Sequence, residues 1–96
     1  MGLKDRYDFD ALVNDAERLV LAELESAIAR TQGLCTCQEC VLDMAAFALN
    51  KVRPSYRVSL MGSVYARSDA KDEYARSVAD AVREAVQRVK ENPSHD

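Results

Sequence analysis

Three cysteines stand within six residues, as Cys35-x-Cys37-x-x-Cys40. Thiolates bind zinc at about 2.3 Å in tetrahedral geometry, so ligands this close in sequence must converge from a sharp turn. Disulfides suit the spacing poorly: an odd set cannot fully pair, and such near neighbours enclose very small loops. The competing readings are three small buried hydrophobes or a redox pair. Asp43 lies one turn after Cys40 and is the only charge between Cys40 and Leu49. It is a candidate fourth ligand, an outer acceptor or an arginine partner, because a buried acid with no partner is costly. The single histidine, His95, belongs to the C-terminal tail and reads as solvated. A water completing the metal site would make it catalytic in character. The spacing places no general base, however, so the chain is read as a binder with no catalytic residue.

A second group of residues suits anions. Residues 44–68 hold four bases, Lys51, Arg53, Arg57 and Arg67, and no acid. Residues 1–43 balance nine acids against four bases, and residues 69–96 seven against five, for a net charge of -3 overall. A local positive field attracts phosphate or carboxylate even on an acidic protein. Arg53, Tyr56, Arg57, Tyr65 and Arg67 fall within 15 residues. Arginine offers planar bidentate contacts, and tyrosine or arginine planes stack on bases. The opposing reading is a solvated basic loop with tyrosines packed half into the core. Four bases make too weak a footprint for polymeric DNA or RNA.

These residues need elements to position them. Ala16, Val20, Leu24 and Ala27, with Val13 before them, recur at helical spacing, which predicts a first helix from Asp8 or Asp10 to Arg30. Gly33 closes it. From Cys40 to Leu49 every residue but Asp43 is apolar or cysteine, so a second helix over Glu39–Lys51 is expected to be buried on all sides, in the fold or in a dimer. Pro54 turns the chain out of it. Tyr56, Val58 and Leu60 alternate with Arg57 and Ser59, as in a short strand that bends at Gly62. No second strand is evident in the chain, so its edge is expected to pair with a symmetry mate. Tyr74, Val78, Ala81, Val82, Ala85 and Val89 mark a last helix from Asp69 to Glu91. The fold class is therefore mainly α: three helices, with an extended segment between the second and third, in an intertwined homodimer.

The length, 96 residues, allows one domain, with residues 1–7 and 92–96 as tails. A core this small gains from a metal staple or a dimer interface. The longest apolar run, Met44 to Leu49, is far below the ~20 residues that span a bilayer. The N-terminus has no signal-peptide core, so a cytoplasmic location is expected.

Asn14-x-x-Glu17-x-x-Val20, Cys35-x-Cys37-x-x-Cys40-x-x-Asp43, and Ala48-Leu49-Asn50-x-x-x-Pro54-x-Tyr56 followed by Gly62 resemble the late competence development protein ComFB family. The resemblance implies a small helical zinc-containing homodimer. It further implies a receptor for cyclic dinucleotide second messengers, cyclic di-GMP or cyclic di-AMP, that signals to a protein partner, with a link to competence. Carried onto this chain, Cys35, Cys37 and Cys40 become zinc ligands, and Arg53, Tyr56, Arg57 and Arg67 the ligand surface. The familiar form has two prolines before the tyrosine region; here Arg53 precedes a single Pro54. The alternative is a zinc-stapled interaction module with no small ligand.

Overall fold

Alternation between apolar and polar faces decides where each helix packs, and the computed structural model of the chain shows the outcome. It describes residues 2–58 and 68–93, with side chains in the second span from residue 72 onward. Leu3–Arg6 forms a one-turn helix, α1, with no buried residue. A 3-10 turn over Phe9–Ala11 follows, its start capped by the Asp8 carboxylate, which accepts from the Asp10 amide. The chain then runs through β1 (Val13–Asn14), α2 (Asp15–Arg30), α3 (Gln38–Lys51), β2 (Tyr56–Arg57) and α4 (Ser68–Glu91).

Helix α2 begins later than its periodicity suggests. Asn14 is the N-cap, and its side-chain oxygen accepts the Ala16 amide at 3.1 Å. That caps the helix at Asp15 and leaves Val13 extended. Asp8 and Asp10 serve the separate 3-10 turn instead. At the other end, Thr31 Oγ1 donates to the Ala27 carbonyl, and Gly33 takes φ 75°, a left-handed conformation open to glycine. The chain thereby reverses into the cysteine segment.

Three long helices supply the core. Ala16, Val20, Leu24 and Ala27 of α2 meet Cys40, Met44, Ala45 and Ala48 of α3. Val78, Ala81, Val82, Ala85, Val86 and Val89 of α4 complete the cluster, with α4 packed on both other helices. Only one face of α3 is buried within the chain. Leu42 is 59% exposed, and Asp43 and Ala46 also face outward. A nearly all-apolar sequence thus leaves a face open, because the two other long helices contact α3 from one side only.

The extended segment has a strand partner within the chain, which the sequence pattern did not predict. β1 and β2 pair antiparallel, Val13 opposite Arg57 and Asn14 opposite Tyr56. Two residues are too few for an alternating pattern, so β1 left no periodic trace in the sequence. Residues 59–67, including Gly62, Tyr65 and Arg67, and residues 94–96, including His95, lie outside the described residues. No described helix is long and apolar enough to cross a membrane.

Candidate metal centre and the adjoining basic surface

The reversal at Gly33 and the start of α3 bring the cysteines together. Cys37 is the N-cap of α3, with extended backbone at φ -70° and ψ 165°. Its Sγ accepts the Cys40 amide N–H at 3.5 Å, and its carbonyl accepts from Val41 at 3.0 Å. Cys35 sits half-buried in the loop before it, and Cys40 is fully buried in the first turn. The three Sγ atoms all lie within 4.8 Å of one another. Sulfurs bound at about 2.3 Å around a tetrahedral ion stand ~3.8 Å apart, so this set needs only a small closure to hold a metal. The helix N-terminus favours negative charge on the ligands. Soft sulfur donors match zinc and other thiophilic ions.

Asp43 does not join the converging ligand atoms. It is exposed and lines a shallow cleft with Phe47, Arg88 and Asn92, on the side of α3 that meets the end of α4. Three residues beyond Cys40 its Cα lies on the same broad face, yet the cleft it lines is bounded by residues of α4.

At the far end of α3 the basic residues are separated by role. Arg57 Nε donates to Asp15 Oδ2 at 2.7 Å, and both side chains are largely buried. Arg57 is therefore committed to the start of α2. Arg53 is exposed, while its backbone carbonyl accepts from the Tyr74 hydroxyl at 2.5 Å. Burial raises the Tyr74 phenol above its usual value; Arg53 opposes this and Asp15 adds to it. Tyr56 is 64% exposed.

The sequence reading missed Asn14 and Asp15. Asn14 Oδ1 accepts the Ser55 amide at 2.9 Å as well as the Ala16 amide, and the Asp15 amide donates to the Ser55 carbonyl at 2.8 Å. One side-chain oxygen thus caps α2 and fastens the approach to β2. Asn14, Glu17, Leu49, Asn50, Val52 and Pro54 line a cleft of about 340 Å³ beside this junction. The Asn14-x-x-Glu17 and Leu49-Asn50-x-x-x-Pro54 patterns were the available signal, since they converge here from distant sequence.

A short three-helix fold with a cluster of three cysteines at one end of its middle helix and a small two-stranded sheet near the other defines a small helical class with a candidate metal site. The family model for late competence development protein ComFB matches residues 13–93. The competence protein ComFB of Bacillus subtilis (strain 168) is 31% identical over 84 residues, covering 86% of each chain. A solved structure described as "Structural characterization of the late competence protein ComFB from Bacillus subtilis" superposes with a TM-score of 0.67 at 31% identity, covering 86% of this chain and 92% of that one. The chain belongs to the ComFB family.

Proposed function

We propose that this protein is a non-enzymatic, zinc-stapled regulator that acts as a homodimer, binds a cyclic dinucleotide and passes the signal to a protein partner in a competence-related process. The carrying observation for the metal is the convergence of Cys35, Cys37 and Cys40 Sγ atoms within 4.8 Å. Bound there, a zinc ion would tie the loop to α3 and hold the helix start in place; it supplies cross-linking, not turnover. Tyr56 and Arg53 support the ligand reading: both are exposed and stand three residues apart in the chain, an aromatic ring for stacking and a guanidinium for charge. The adjacent cleft of about 340 Å³ is of ligand size. Arg57 would meet a phosphate only by sharing or leaving Asp15. The outward Leu42 supports self-association through α3. A cytoplasmic site of action goes with a reduced thiol cluster.

Titration calorimetry with cyclic di-GMP, cyclic di-AMP and their linear counterparts tests the reading. Saturable binding of a cyclic species is expected, and Arg53→Ala and Tyr56→Ala should each weaken it about tenfold, or ~1.4 kcal/mol. Absence of heat with every nucleotide at high micromolar concentration would leave the interaction-module reading in its place. Native mass spectrometry reports metal content and dimer together.

A further inference from the structure

Cys37 and Cys40 are the two ends of one capping interaction. The Cys37 sulfur accepts the Cys40 amide at 3.5 Å, so it already sits over the first turn of α3. Cys37 is exposed, whereas Cys40 is 0% exposed. The three sulfurs lie within 4.8 Å, a spacing from which two different closures are open. A tetrahedral metal draws them to ~3.8 Å apart. A disulfide draws two of them to ~2.05 Å. The two closures exclude each other, because sulfur in a disulfide is no longer a thiolate ligand.

We propose that Cys37 and Cys40 form a peroxide-sensitive dithiol whose oxidation expels the metal. The proposal rests on the metal reading above. Exposure makes Cys37 the attacking sulfur: its S–O bond to hydrogen peroxide forms as the O–O bond breaks, and the departing oxygen leaves as water. The buried Cys40 sulfur then attacks Cys37. The S–S bond forms, the S–O bond breaks, and a second water departs. Peroxide gains two electrons and the sulfur pair loses two; the two protons come from the thiols, or from solvent when the sulfurs are bound to metal.

The x-x spacing from N-cap to first turn selects this pair. It lets the disulfide close over a helix turn already formed, while a Cys35–Cys37 bond would enclose a single residue and strain the loop. Cys35 is left as one ligand, too few to retain zinc. Burial keeps Cys40 from meeting oxidant first, which gives it the resolving role.

The test uses the zinc-loaded full chain exposed to hydrogen peroxide. Zinc release is followed with a metallochromic dye, and remaining thiols are alkylated before cleavage after Glu39, which lies between the two cysteines. Release of one zinc per chain is expected with loss of two hydrogens in mass. The peptide ending at Glu39 should stay joined to the one starting at Cys40, with the alkyl label on Cys35 alone. Cys35→Ser should still form the link and Cys37→Ser should not. Label on Cys37 or Cys40 after oxidation, or zinc held through it, overturns the proposal. A chain that takes up no zinc overturns the metal reading and the expulsion; the linkage map of the metal-free protein then judges the dithiol separately.

Discussion

Arg57 reaches back across 42 residues to place its Nε 2.7 Å from Asp15 Oδ2, tying β2 to the first turn of α2. The partner oxygen, Asp15 Oδ1, is buried with no hydrogen bond, and Arg18 lies 3.7 Å from it across the helix surface. Asp15 therefore depends chiefly on Arg57, the closer and hydrogen-bonded cation, for compensation.

Removing Arg57 should cost more than the pair is worth. Arg57→Ala leaves a largely buried carboxylate with only the longer 3.7 Å approach of Arg18, and is expected to destabilise the fold by about 3 kcal/mol. Combining it with Asp15→Ala should recover part of that loss. Urea titrations of the two single variants and the double variant measure the coupling; strict additivity would show that the pair does not interact.

Asn14 carries two amides on one oxygen. Asn14→Ala removes a helix cap and orphans the Ser55 amide, for a combined loss of about 2 kcal/mol. Asn14→Asp keeps the acceptor and should lose less. Denaturant midpoints at matched slopes settle the order of the three proteins.

Metal and burial make separable contributions at the cysteines. A strong chelator should lower the melting temperature of the native chain. Cys37→Ser, at an exposed position, should then melt with the chelated native protein. Cys40→Ser should remain about 2 kcal/mol less stable even in chelator, because a hydroxyl replaces a fully buried thiol. Thermal melts with and without chelator provide the comparison.

Tyr74 sets an alkaline limit. Burial first, then Asp15, raise its phenol above 10.0 in the folded chain, against the opposing pull of Arg53. Below the unfolded value both states are protonated, and the contribution is fully present. As pH rises past 10.0 the unfolded chain ionises first, so stability falls until the folded phenol also ionises. Tyr74→Phe should flatten this loss while costing about 1 kcal/mol at neutral pH through the missing bond to the Arg53 carbonyl. Alkaline unfolding curves of the two proteins reveal the difference.

Periodicity made α2 and α4 legible, with Val20, Leu24, Val78 and Val82 in the core as their spacing requires; α3 was legible from its apolar run, of which the chain buries only one face. The cysteine cluster was legible because local spacing alone brings its sulfurs together. What escaped depended on contacts between distant residues. Asn14 and Ser55 meet through a hydrogen bond across 41 residues that helical or strand periodicity does not encode, and β1 is too short to alternate. Asp43 shares a face with Cys40 by spacing, yet it lines a cleft with Arg88 and Asn92, residues of another helix and its end. Arg57 looked available to an anion because Asp15, its counter-charge, lies 42 residues away at the start of α2.

Helix α3 separates the cysteine clamp from the Arg53–Tyr56 surface by 14 residues, or about 20 Å. It is a continuous hydrogen-bonded rod between two places where small molecules and ions are proposed to bind. Any influence transmitted along it obeys reciprocity. If loading the thiolates sharpens affinity at Tyr56 by some factor, occupancy at Tyr56 must sharpen metal affinity by that same factor. The rod would then make metal retention itself a readout of ligand occupancy, measurable with no knowledge of the downstream partner.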